Sequence, residues 1–291
     1  MQQATTTSLE IVPSSGSLGA EVRGVDLALP LDDATVAVID AAWREHLVLV
    51  LRDQHIDDDQ LIAFSRRFGE LDPPGPNPYS GAPIYPEYPE LNVISNIRQG
   101  DKPVGNLGSG EAVWHADMTY NDIPPAGAIL YAVELPADGG NTEFADMRLA
   151  YDTLPYHLKD QICGRRAIHD ASHNSAGIRR RGYAEVTDVR HTPGARQPLV
   201  RTDPVTGRRS LFLGRRPRSY IVGLELDDSE ALLDALWAHA GRREGVFTHR
   251  WKLGDVLMWD NLSVLHRRDA FESTDRRRLH RAQLKGTGPI A

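Results

Sequence analysis

From Leu91 onward the chain is a succession of short apolar runs: LNVIS, AGAILYAVEL, NTEFAD, RRAIHD, PLVRT, RSLFLG, GDVLMWD and RRLHRAQLKG. Gly, Pro, Asp or Asn bounds each of them, which is the pattern of strands separated by turns. Strands at this spacing, with few helices between them, bury their apolar faces by closing or sandwiching an antiparallel sheet. The expected fold class is therefore mainly β with flanking helices.

Ahead of that region, LEIVP reads as a strand, and LDDATVAVIDAAWREHLV carries apolar residues at helical spacing behind Asp32 and Asp33, which suit a helix N-terminus. LVLVLRD follows as a buried strand. A second helix is predicted from Asp58 to Phe68, opened by acids and closed by Gly69. Residues Glu70 to Pro89 are rich in Pro, Gly, Tyr and Asn and read as a long ordered loop. Two further helices are predicted, Met147 to Leu158 and Asp227 to Ala240. With no internal repeat, residues 1–291 read as one domain, and the polar stretch Gln161 to Gln197, rich in His, Arg and Gly, reads as an inserted lid.

No apolar run approaches the roughly 20 residues that cross a bilayer, and the start, MQQATTTSLEIVP, has neither a basic leader nor an apolar signal core. No membrane association and a cytoplasmic location are expected. Cys163 is the single cysteine. An internal disulfide and a zinc site of several thiolates are thereby excluded, so a metal must use His and carboxylates. The net charge of −7 argues against a nucleic-acid partner. Positive charge is nevertheless gathered at Arg179 to Arg181, Arg215 to Arg218 and Arg276 to Arg278, each a solvated loop or edge strand, or else a grip on a carboxylate, sulfonate or phosphate.

The sharpest local signal is AVWHADMTY, in which His115 and Asp117 stand two apart and project from one side of an extended segment. His266, at the end of GDVLMWDNLSVLH, is the candidate third ligand. Two imidazoles and a carboxylate on one face of a metal leave the opposite positions open, the arrangement of iron(II) oxygenases. The competing reading is a hydrogen-bonded core histidine beside a capping Asp. In RRRLHRAQLKG, Arg277 and Arg281 share one face of a strand. Interior guanidinium groups need anions, supplied by a dicarboxylic co-substrate or by protein Asp and Glu, unless the opposite face is the buried one.

Nearly the whole chain resembles the TauD/TfdA group of 2-oxoglutarate-dependent dioxygenases, the taurine dioxygenase and 2,4-dichlorophenoxyacetate dioxygenase family. The likeness runs through LGAEVRGVDLALPL, LVLVLRDQHIDDDQLIAFSRRFGEL, WHADMTY, ELPADGGNTEFADM, WKLGDVLMWDNLSVLHR and RRRLHRAQLKG, in that order. It implies a double-stranded β-helix (jelly-roll) core, Fe(II) held by His115, Asp117 and His266, and 2-oxoglutarate and O₂ as co-substrates. Thr142 and Arg277 match positions for the far carboxylate of 2-oxoglutarate. Arg281 matches a position for the substrate anion, or for the keto-acid carboxylate. Trp114 and Asn261 fit as supports of the site, and Asp117, where related halogenases carry a small residue, favours hydroxylation.

The implied reaction converts 2-oxoglutarate to succinate and CO₂ while hydroxylating a C–H bond of a small organic molecule. Desaturation or cyclisation with the same cofactors, and a non-catalytic jelly-roll binding protein, are the alternatives. The residues after FGEL and before Trp114 depart from the taurine users, which makes taurine a doubtful substrate. Substrate contacts are expected from Glu111, Trp114, Tyr120 and Arg281, with the loop Pro74 to Tyr88 and Arg215, Arg216 and Arg218 nearby. The family resemblance also implies a homo-oligomer.

Overall fold

The computed structural model describes residues 8–75, 83–100, 102–109, 112–175 and 177–291. Two antiparallel-dominated sheets face each other. The larger runs, in spatial order, Glu10–Pro13, Ala20–Arg23, Val48–Leu51, Val256–Asp260, Gly127–Glu134, Arg278–Leu284, Leu91–Ser95 and Asn106–Leu107. The smaller runs Val246–His249, Thr142–Asp146, Val264–Arg268 and Ala112–His115. Together they form the expected mainly β jelly-roll core, since neighbours in space come from distant parts of the chain.

Strand residues alternate across the sheet, so each face of the larger sheet needs its own cover. Between the sheets lie Val48, Val50, Leu130, Leu257 and Leu279 from the larger one, against Phe144 and Val264 from the smaller. The outer face of the larger sheet, Leu49, Leu51, Ile129 and Met258, is covered by α1 (Asp33–His46) and α2 (Asp58–Ser65) through Ile39, Trp43 and Leu61. Behind the smaller sheet, Ala145 and Leu265 pack with α3 (Met147–Asp152) and α5 (Leu226–Ala240) through Met147, Leu233 and Leu236. Cover on both faces explains why Val48–Leu51 is buried at every position.

α1 starts where the acids predicted: Asp32 caps it by accepting from the Thr35 N–H at 2.6 Å. α2 ends at Ser65, short of Gly69, because Arg67 and Phe68 turn tightly onto Phe64 and Ser65. The single helix expected over Met147 to Leu158 is two, Met147–Asp152 and α4 (Tyr156–Ile162), divided at Pro155, which cannot continue a helix through its missing N–H. The stretch Gln161 to Gln197 holds the strand Arg166–Ile168 and runs into its partner Arg196–Pro198; between them the described residues are irregular apart from a 3₁₀ turn at Val189–His191. No helix of the described residues is long and apolar enough to cross a membrane.

Candidate metal centre

His115 and His266 come together through strand pairing. Ala112–His115 lies antiparallel to Val264–Arg268 with His115 directly opposite His266, and on the other side Phe144 faces His266. The two imidazole centres are 4.1 Å apart. The strand ends at His115, so Asp117 reaches the site from a turn rather than by alternation along an extended segment. Asn261 holds that turn in place: its Oδ1 accepts from the Asp117 N–H at 2.7 Å, and its Nδ2 donates to Asp117 O at 2.9 Å and to Pro125 O at 3.0 Å.

Asp117 Oδ1 lies 3.8 Å from His115 Nε2, and Oδ2 lies 3.9 Å from His266 Nε2. One donor atom from each of the three residues falls within 4.8 Å of the others. Their protonation suits a cation. Burial would raise the Asp117 carboxyl, but Arg281 and the two imidazoles outweigh it and hold it at about 2. Burial pushes His266 down to about 3, with His115 adding to the shift, and burial likewise lowers His115. His115 Nδ1 sits 2.7 Å from the Val113 carbonyl, which can only accept, so the proton is on Nδ1 and the Nε2 lone pair faces Asp117. An anionic carboxylate and two neutral imidazoles are the donor set that a divalent transition metal requires.

Arg277 is 2% exposed, and its Nη2 donates to Gly140 O at 3.3 Å while its Nε has no partner among the described residues. Burial, reinforced by Arg268, lowers its guanidinium to about 9. Among the described residues no carboxylate is paired with it. Thr142, buried two residues beyond Gly140, accepts from Trp251 Nε1 at 3.0 Å and pairs across strands with Arg268. A buried guanidinium without a protein anion is costly, and a ligand carboxylate would offset that cost. Arg281, by contrast, donates from Nη1 to Asp117 Oδ2 at 2.7 Å, so it is tied to one of the three clustered residues.

A cavity of about 290 Å³ opens in front of the cluster, bordered by His115, Asp117, Arg281, Tyr120 and Ile94. A larger one, about 490 Å³, between Trp43, Phe68 and Arg148, touches none of the three clustered residues and so has no part in their chemistry. Tyr120 lines the smaller cavity as expected. The expected contact from Trp114 is corrected: alternation along Ala112–His115 sends its ring to the opposite side from His115, where it packs with the α5 cluster under Arg267, 5.0 Å away. Glu111 and residues 76–82 of the aromatic loop lie outside the described residues.

Of the three late-loop arginines, only Arg215 reaches the cavity, bonded to Asp170 at 2.9 Å. Arg216 turns to Glu230 and Asp234, and Arg218 donates to Val186 O. Asp170, His169 and Arg180 also border the cavity. Arg180 belongs to the cluster Arg179 to Arg181 that the sequence offered as an anion grip, whereas no pattern singles out His169 and Asp170 beyond the His- and Arg-rich character of their stretch.

Residues 10–283 match the family described as taurine catabolism dioxygenase TauD, TfdA family. The chain is similar to an alpha-ketoglutarate-dependent 2,4-dichlorophenoxyacetate dioxygenase of Cupriavidus pinatubonensis, 38% identical, covering 90% of this chain and 93% of the relative. It is also similar to an (S)-phenoxypropionate/alpha-ketoglutarate-dioxygenase of Delftia acidovorans, 35% identical over 96% of each. Among solved structures, AAD-2 in complex with Mn(II) and N-oxalylglycine superposes with a TM-score of 0.80 at 31% identity, covering 98% of this chain and 99% of the other.

Proposed function

The chain belongs to the TauD, TfdA family, and on that premise we propose that it is a non-haem Fe(II) dioxygenase coupling oxidative decarboxylation of 2-oxoglutarate to hydroxylation of a small organic acid. The observation that carries this reading is the convergence of His115, Asp117 and His266, in a protein that also buries Arg277 with no carboxylate of the described residues paired to it. An acidic substrate is inferred from the relatives, whose names specify phenoxyacetate and phenoxypropionate.

His115, Asp117 and His266 would hold the iron, which with 2-oxoglutarate supplies the O₂-dependent oxidising chemistry. The chain's own residues do the positioning. The Val113 carbonyl fixes the tautomer of His115, and Asn261 fixes the turn that presents Asp117. Arg281 bonds the second oxygen of Asp117 and so favours single-oxygen coordination by that carboxylate. Arg277 and the Thr142 hydroxyl bind the far carboxylate of 2-oxoglutarate, with Trp251 Nε1 orienting the Thr142 oxygen. The stretch between Arg166–Ile168 and Arg196–Pro198 covers the cavity, excluding water and keeping the oxidant on the substrate.

Anaerobic titration with Fe(II) and 2-oxoglutarate, following the weak visible charge-transfer band of the chelate, tests the reading. A band in the wild type that needs at least tenfold more 2-oxoglutarate in Arg277→Ala supports it. Iron-loaded protein that shows no band refutes it.

A further inference from the structure

The cavity in front of the cluster is walled by three guanidinium groups, Arg180, Arg215 and Arg281, and by two carboxylates, Asp117 and Asp170. Two of the three cations are already paired: Arg281 with Asp117 at 2.7 Å and Arg215 with Asp170 at 2.9 Å. Arg180 has no carboxylate partner among the described residues. Its guanidinium carbon lies 4.2 Å above the centre of the Tyr120 ring, three residues along the chain from Asp117. The same guanidinium is also hydrogen-bonded to the Tyr120 side chain, and the N–H donors of its planar fork not engaged there remain available to an anion.

Arg180 is also held in position by its backbone. Its N–H donates to Ser172 O at 2.7 Å, and the far end of the same stretch is fastened where the Ala195 N–H donates to Tyr120 O at 2.9 Å. Its neighbours Arg179 and Arg181 are exposed, whereas Arg180 is half-buried against the cavity. Arg215 is close enough for the Arg180 charge to disfavour its own protonation, after the larger effect of burial. The wall therefore carries one positive charge more than it neutralises, at a place bordered by apolar Ile84, Ile94 and Met118.

Resting on the dioxygenase reading, we propose that Arg180 is the specificity-determining residue of the cavity, gripping the anionic end of the substrate while the substrate's apolar body lies against Ile94 and Met118. The anion is a carboxylate or a sulfate, either of which accepts two N–H donors from a guanidinium edge. Arg281, committed to Asp117, stays with the metal end. Selection for an acid thus resides in the covering stretch, in a residue that touches neither the proposed metal ligands nor Arg277.

The test is calorimetric titration of phenoxyacetate, phenyl sulfate and the neutral phenoxyacetamide into protein held anaerobically with Fe(II) and 2-oxoglutarate. Wild type, Arg180→Ala and Arg180→Lys are compared. A charge-assisted contact of this kind corresponds to roughly 10- to 100-fold in affinity. The acid bound best by the wild type should weaken by that factor in Arg180→Ala and by less in Arg180→Lys, while the amide, bound weakly throughout, is unchanged. Whichever acid loses more identifies the anion. The proposal is overturned by unaltered acid binding in both variants, by equal losses for acid and amide, or by a wild type that takes up 2-oxoglutarate but neither acid. Failure of the wild type to bind 2-oxoglutarate at all would instead refute the dioxygenase reading on which it rests.

Discussion

The side chain of Asn261 grips the main chain of Asp117 from both sides, accepting from its N–H at 2.7 Å and donating to its carbonyl at 2.9 Å. Asn261 follows the strand Val256–Asp260 directly, so a rigid element sets the position of a carboxylate that sits on a turn. Substitution Asn261→Ala should leave the three donor residues intact yet lower Fe(II) affinity by about 10- to 100-fold, the usual effect of losing an outer support of a ligand. Competition with a chromogenic chelator measures it. Unchanged affinity would mean that the turn holds itself.

Arg277 sets binding against stability. Replacing a buried cation that lacks a protein anion with an apolar side chain of similar length removes a desolvation cost, and comparable replacements are neutral or stabilising by about 1–4 kcal/mol. Arg277→Met should therefore unfold at an equal or higher urea concentration than the wild type without ligands. Added 2-oxoglutarate should raise the wild-type midpoint and leave that of the variant where it was.

His169 gives a pH dependence of known sign. It is 1% exposed, neither ring nitrogen has a hydrogen-bond partner among the described residues, and burial lowers it to about 3. The unfolded chain takes up this proton near pH 6.5, whereas the folded one resists until about pH 3. Its contribution is thus complete above pH 6.5 and is lost progressively as the pH falls toward 3, amounting to about 2 kcal/mol by pH 5. Urea midpoints at pH 7 and pH 5 should differ less in His169→Asn than in the wild type. An identical pH dependence would show that His169 is not buried neutral.

Gly214 has a φ of +68°, and a Cβ there would stand 2.3 Å from His169 Nδ1. Gly214→Ala combines a left-handed alanine, about 1–2 kcal/mol, with overpacking of about 1–3 kcal/mol. The Gly214 carbonyl accepts from the Ala116 N–H at 2.9 Å, next to Asp117. Destabilisation by a few kcal/mol in urea and weakened Fe(II) binding are expected together. Full stability in the variant would contradict the packing of His169 on this turn.

Trp114 precedes His115 but faces away from the cavity. Trp114→Leu should cost about 1–3 kcal/mol of stability through lost packing and leave the KM for substrate within about twofold. Succinate release measures the latter. A tenfold rise in KM would restore Trp114 to the substrate pocket.

Much of this site is legible in the chain. His115 and Asp117 stand close in sequence, His266 ends an apolar run, and metal chemistry admits few other donors in a chain with one cysteine. Alternation in RRRLHRAQLKG spaces Arg277 and Arg281 for one face; in the structure Arg277 is buried just ahead of the strand Arg278–Leu284, and Arg281 lies within it. Each arginine cluster turns out to send one member inward, Arg180, Arg215 and Arg277, whereas Arg216 and Arg276 pair with acids elsewhere. Composition cannot distinguish these, because the direction of a loop arginine depends on contacts remote in sequence.

What the sequence by itself determined was therefore local and periodic: the strand-rich class, the acidic start of α1, the donor types and the alternation that sets Arg277 and Arg281 four apart. Those features depend on neighbours within a few positions, where side-chain alternation and capping act. Tertiary structure alone decided that Asp117 arrives on a turn held by Asn261, 144 residues away. It likewise decided that Arg281 is spent on Asp117 and that Arg180 stacks on Tyr120. These pairings follow from sheet register and loop closure across distant segments, and no local preference in the chain encodes them.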